Sequence, residues 1–222
     1  TLYDHSGNQN HGTINGATWY LVGCTDPLAD NYNPDADFDD GSCEYSGEAF
    51  VINEIMQNPS AVSDSEGEWF EIVYIGDATG DLNGWTIKDA GSDDHTIAGS
   101  IIISPGEYIV FGNNGDFGTN GGVNVDYQYS DINLGNGSDE LILVSPSGTI
   151  MDSVAWDNGA TFPDPTGASM ALIDTELDNS VGSNWIVSTT PYGDGDLGTP
   201  GFPNFFSDID VSVNSLEFDT TA

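Results

Sequence analysis

The sequence predicts an all-β protein: a two-sheet β-sandwich preceded by a small acidic module closed by two cysteines. Three observations carry this. Apolar runs of period two recur through residues 48–204 and are separated by turn residues. No long stretch keeps the 3.6-residue period of an amphipathic helix. Six aspartates crowd into residues 26–40, between Cys24 and Cys43.

The strands follow in order. Residues 49–55 are apolar and β-branched, and residues 68–75 form a second run. In that run Phe70, Ile72 and Tyr74 share one face, with Trp69, Val73 and Ile75 on the other. Residues 100–104, 107–111, 140–144, 149–156 and 169–173 continue the series. Ser104-Pro105-Gly106, Asn113-Asn114-Gly115-Asp116 and Ser145-Pro146-Ser147-Gly148 are the turns between them. Seven or so short strands over this length suit a sandwich. Trp69, Trp85, Trp156 and Trp185 sit at strand positions and are expected to pack, the alternative being a sugar-stacking platform. Gly135 and Gly137 are expected to set a tight turn.

Charge bounds the partners. The 222 residues carry 37 Asp and Glu against one Lys or Arg, a formal net charge of −36. Asp outnumbers Glu 27 to 10, which favours loops and ion ligands over helices. Nucleic-acid binding needs cations to displace counterions, and Lys88 stands alone. Anionic membrane surfaces are disfavoured for the same reason, and no apolar run is long enough to insert. The aromatic content, with 5 Trp, 9 Tyr and 10 Phe, argues for a packed core rather than disorder. Self-repulsion of this size calls for a salty habitat, calcium, or both.

Asp35, Asp37 and Asp39 lie at i, i+2 and i+4, a spacing that in a tight loop converges carboxylates on one hard cation. Asp26, Asp30, Asn33 and Asp40 complete the expected calcium ligands. The alternative is a solvated acidic linker. The segment is not an EF-hand, because Gly41 and Ser46 break that pattern. A Cys24–Cys43 bridge would close a loop of about twenty residues and stabilise by ~3 kcal/mol. It would imply an oxidising compartment, reduced thiols in a cytosolic chain being the alternative.

Acids inside the sandwich raise a separate question. Glu54 and Glu71 fall within strands and are expected to face solvent. If buried, they would need backbone N–H donors, Lys88, or a second calcium with Asp152 nearby. Asp64, Glu66, Glu68, Asp89, Asp93 and Asp94 read as solvated loop acids, and His95 as a surface residue. No nucleophile elbow or positioned triad appears, so no catalytic residues are assigned and the chain is expected not to be an enzyme.

Several motifs carry family resemblances. Val51-Ile52-Asn53-Glu54-Ile55-Met56, Glu68-Trp69-Phe70-Glu71-Ile72, Asp81-Leu82-Asn83-Gly84-Trp85, Leu134-Gly135-Asn136-Gly137-Ser138-Asp139, Asp152-Ser153-Val154-Ala155-Trp156 and Gly198-Thr199-Pro200-Gly201 occur in the order of a secreted bacterial lamin tail domain. The resemblance spans residues 48–204 and implies an Ig-like, non-catalytic sandwich. Residues 23–46 resemble the acidic Cys-closed repeats of Bacteroidetes surface proteins and the calcium-binding thrombospondin type 3 repeat. Residues 1–22, with Asp4-His5-Ser6-Gly7-Asn8, resemble a laminin-G hairpin remnant or linker, and residues 208–222 resemble the start of a further Ig-like module. Both ends are therefore expected to continue in a longer chain.

The expected role is a structural or adhesion segment of a secreted, multimodular bacterial cell-surface protein, with Ca2+ as its cofactor. Its expected partners are neighbouring modules, other cell-surface proteins, or glycans. The alternative is a carbohydrate-binding accessory module of an extracellular hydrolase or nuclease.

Overall fold

The computed structural model describes residues 20–25, 31–38 and 50–204. The expectations for residues 1–19 and 208–222 lie outside the described residues.

Twelve strands are described: β1 Phe50–Met56, β2 Trp69–Tyr74, β3 Gly80–Asp81, β4 Thr86–Lys88, β5 Asp94–Thr96, β6 Ile102–Ile103, β7 Tyr108–Gly112, β8 Tyr127–Gln128, β9 Ser138–Val144, β10 Ile150–Asp157, β11 Met170–Leu172 and β12 Trp185–Val187. Among the described residues helix is confined to one turn, α1 Asp64–Gly67, and a 3-10 turn at Gly182–Asn184. The larger sheet has the order β12-β11-β1-β2-β7-β8, the smaller β10-β9-β4-β5, and β3 pairs with β6. All pairings are antiparallel except β7 with β8.

The seven sequence runs all contain strands, with ends shifted by one or two residues. The run 100–104 shrinks to Ile102–Ile103. Strands β3, β4, β5, β8 and β12 were not among the runs, because two or three residues are too short to show alternation.

The sandwich core is built from the inner faces. Phe50, Ile52, Ile55, Phe70, Ile72 and Phe111 of the larger sheet meet Ile87, Leu141, Leu143, Val154 and Trp156 of the smaller. Phe70 stacks on Phe111 with centroids 4.9 Å apart, and Phe50 meets Trp85 edge-on at 4.7 Å. The four described tryptophans are all buried, as expected of packing residues.

A bulge at Asn53 decides what β1 presents. Ile52 pairs with Ile72, but Glu54 pairs with Glu71 and Ile55 with Phe70, so Asn53 is the extra residue. Strict alternation would have put Glu54 with Phe50 and Ile52 in the apolar core. The bulge instead turns Glu54 to the outer face and Ile55 inward. It also leaves Ile52 without a ladder partner on the β11 side, where pairing begins at Glu54. Asp152 of β10 fills this gap by accepting from Ile52 N at 2.5 Å and from Asn179 Nδ2 at 2.8 Å. Asn179 Nδ2 in turn donates to Ile52 O at 3.1 Å.

The outer face of the larger sheet is covered too. Met56, Trp69, Val110 and Val123 form a second cluster there, flanked by Val125 and Tyr192. Residues 188–204, here called the strap, run across it. Leu197 bonds back to Gly167 and Ser169, and Asp196 accepts from Ser60 N and Ala61 N at 2.9 and 3.1 Å. The strap crosses the 121–122 turn at backbone contact. Gly122 and Gly193 both have positive φ (84° and 44°), and a Cβ on Gly122 would lie 2.6 Å from Gly193 Cα.

Ile72→Ala, at a site with no exposure, is expected to lower the unfolding free energy by about 2–5 kcal/mol. Ile150→Ala, at a site 55% exposed, should stay within about 0.5 kcal/mol. Denaturant melts at fixed salt measure both.

Candidate metal ligands and buried carboxylates

The acidic segment is described in part. Val22 bridges to Phe38, Gly23 N donates to Phe38 O at 3.1 Å, and Asn33 N donates to Cys24 O at 2.9 Å. Tyr20 meets Phe38 edge-on. Of the expected ligands, Asn33 is half-buried, and Asp35 and Asp37 are exposed. Asn33 Oδ1 accepts from Asp35 N at 3.1 Å, forming a local Asx turn. Asp37 Oδ2 accepts from Leu21 N at 2.9 Å, which ties the end of the loop to its start. Cys24 is 1% exposed and is not a free thiol. Asp26, Asp30, Asp39, Asp40 and Cys43 lie outside the described residues.

A second acid group was not anticipated. One carboxylate oxygen each from Asp89, Asp139 and Glu140 lie within 4.8 Å of one another. The β4–β9 pairing, Lys88 opposite Ile142, brings Asp89 to the start of β9. Asp139 accepts from Gly135 N at 2.7 Å, and Glu140 accepts from Ala90 N at 2.7 Å. Burial, then the charges of Glu140 and Asp89, raises the Asp139 pKa. Hard oxygen donors at this spacing suit a divalent cation, although such groups are common on acidic surfaces without one. The sequence clue was the Leu134–Asp139 turn, which read only as turn chemistry.

Two acids expected to face solvent are buried. Glu54 and Glu71 have no exposed surface and stand directly opposite each other on the outer face. Period-two alternation could not show this, because the strap covers that face from more than a hundred residues away. Glu54 accepts from Ser169 Oγ at 2.5 Å, Thr199 N at 2.8 Å and Thr199 Oγ1 at 2.8 Å. Glu71 accepts from Asn53 Nδ2 at 2.8 Å and from Gly201 N at 2.5 Å. Burial raises the Glu54 pKa. Burial, then the charge of Glu54, pushes Glu71 up to about 9. Asp152 is buried as well, but in the seam beside Ile52.

Glu68 is a further correction. It is 6% exposed, and Leu134 N donates to it at 3.2 Å. Burial, then the charges of Asp64 and Asp139, pushes it up to about 7. Of the remaining loop acids, Asp64, Asp89 and Asp93 are half-buried, while Glu66 and Asp94 are exposed. Asp93 accepts from Asn133 N at 2.8 Å.

His95 is half-buried rather than a surface residue, with Nε2 and Tyr127 Oη 2.9 Å apart. Ser130 Oγ lies 3.4 Å from its Nδ1 but donates to Asp131 at 2.9 Å, which is not the arrangement of an activated nucleophile.

The architecture is that of an Ig-like β-sandwich. The profile of the lamin tail domain matches residues 45–158, just over half of the chain, and the chain belongs to that family. The match ends before β11, β12 and the strap, which complete the larger sheet and cover its outer face. No curated protein matches the chain.

Glu68 and Glu71 both have native pKa values raised above the unfolded one. The native state therefore holds protons that the unfolded state has lost, and stability falls as pH rises. Thermal melts at fixed salt are expected to show Tm falling from pH 5 to pH 9, more steeply below pH 7 while both groups contribute. Glu68→Gln should lessen the steepness below pH 7, Glu54 and Asp139 being raised as well.

Proposed function

We propose that this chain is a non-catalytic structural or adhesion segment of a secreted, multimodular bacterial cell-surface protein, rigidified by calcium. The observation that carries this reading is a sandwich whose larger sheet is covered on both faces, in a chain of net charge −36. Such a body has little to do with catalysis and much to do with spacing, and its charge calls for counterions.

In this reading residues 23–46 are an acidic repeat closed by a Cys24–Cys43 disulfide. Calcium held by Asp26, Asp30, Asn33, Asp35, Asp37, Asp39 and Asp40 orders that loop against the lamin tail sandwich of residues 48–204. The laminin-G-like residues 1–22 and the Ig-like start at 208–222 join it to neighbouring modules, which are its partners along with other surface proteins. The Leu21–Asp37 and Asn33–Asp35 bonds support the reading, since they already fold the acidic stretch back on itself.

A second reading, carbohydrate binding, is favoured by one groove. Asn124, Thr190, Tyr192, Pro200 and Phe202 line it, Phe202 is 61% exposed, and its lining includes no carboxylate. An exposed ring beside neutral polar groups suits an uncharged sugar.

A calcium titration of Tm at fixed high monovalent salt tests the first reading. A saturable rise, absent with magnesium and abolished in Asp35→Asn/Asp37→Asn, is expected by linkage. A response to ionic strength alone would reduce the segment to a stapled linker. For the second reading, glycan-array binding that Phe202→Ala removes is the supporting outcome, and an array blank for the intact protein is the opposing one.

A further inference from the structure

The strap and the Glu54–Glu71 pair form one device. Residues paired directly across neighbouring antiparallel strands have Cβ atoms about 4.5–5.5 Å apart, and like charges there repel. Both side chains are withdrawn from water. The chain's only Lys or Arg is Lys88, on β4 of the other sheet, so no such cation answers them. Their donors are concentrated on the strap, which supplies Thr199 N, Thr199 Oγ1 and Gly201 N.

We propose that a proton retained by the Glu54–Glu71 pair holds the strap closed over the outer face of the larger sheet, and that losing it favours local opening. Two carboxylates sharing a dry site cannot both ionise at ordinary cost. Glu54 accepts three hydrogen bonds and Glu71 two, so the negative charge settles on Glu54 and the proton on Glu71. Burial raises both groups, and the charge of Glu54 is a further cause of the rise at Glu71, in keeping with this order. Asn53 suits both states of Glu71. Its amide donates to the carboxylate as drawn, and its buried Oδ1, which has no partner, accepts from the neutral acid once the amide is turned over.

Among the described residues, other titratable groups around the pair add no positive charge. Asp126, before β8, adds to the repulsion on Glu71, and Tyr108 of β7 is itself raised by burial and by the Glu71 charge. On the strap, burial first, then the charges of Asp196 and Glu54, keep the Tyr192 hydroxyl neutral. Asp196 is committed to Ser60 N and Ala61 N. Opening the strap returns Glu71 to water and to an ordinary carboxylate pKa. Between that value and the closed-state one, each pH unit multiplies the opening constant by about ten.

Hydrogen exchange of the intact protein, resolved to single amides, tests this. From pH 6 to pH 8, protection factors at Thr199 and Gly201, corrected for intrinsic rates, are expected to fall about a hundredfold, while Ile72 in β2 keeps a larger protection. In Glu71→Gln the fall should vanish. Glu54→Gln serves as a second variant with the same expectation if the first does not fold. Protection at Thr199 and Gly201 that does not change with pH would overturn the proposal. So would an undiminished fall in the Gln variants, or equal protection at Ile72, which would mean global rather than strap opening.

Discussion

A chain with one lysine and no arginine cannot neutralise a buried acid with an ion pair of the usual kind, and the rest of this structure depends on how it copes. Glu54, Glu71, Glu68 and Asp152 are all withdrawn from solvent. Each is answered by backbone N–H groups, hydroxyls or amides instead of guanidinium or ammonium groups. These donors come from distant segments, so satisfying the acids also fixes the topology. Asp152 sews β10 to β1 at the bulge, and Glu54 with Glu71 draws the strap across the outer sheet. A buried acid left without such donors costs far more than one hydrogen bond contributes. The strap is therefore as much a part of the fold as the strands it covers.

This arrangement bears on the role we propose. With apolar clusters on both faces of the larger sheet, much of the molecule is committed to its own packing. What it offers outward is acidic, in a chain of net charge −36, with exposed apolar side chains at Ile102, at Phe202 and together at Tyr20, Val22 and Phe38. That surface suits a spacer in an ion-rich medium. The lamin tail match covers the central strands, whereas β11, β12 and the strap lie beyond it. The outer-face polar network thus joins residues inside the matched region, Glu54 and Glu71, to residues outside it, Ser169, Thr199 and Gly201.

The sequence made the sandwich legible because its longer strands alternate cleanly. In β2 the split between Phe70, Ile72, Tyr74 and Trp69, Val73 follows directly from period two. At β1 period two alone does not give the faces. There the Asn53 bulge shifts the phase by one residue, and nothing local announces it. The burial of Glu54, Glu71 and Glu68 was not legible either, since it is imposed by segments distant in sequence. A carboxylate in an apolar run was the visible warning, and facing solvent was the wrong resolution of it. The Asp89–Asp139–Glu140 group is a product of strand pairing and leaves no spacing pattern in the chain. At the acidic segment the sequence spacing stands beside two local bonds, at Asn33 and Asp37, that were not predicted.

In the strap device proposed above, a proton and not a cation balances the Glu54–Glu71 pair. A carbon-13 NMR titration of the two side-chain carboxyl groups measures this without disturbing the fold. Glu71 is expected to be still protonated at pH 7 and to titrate near pH 9, after Glu54. Two carboxyls that both ionise near the ordinary glutamate value of about 4.3 would contradict it.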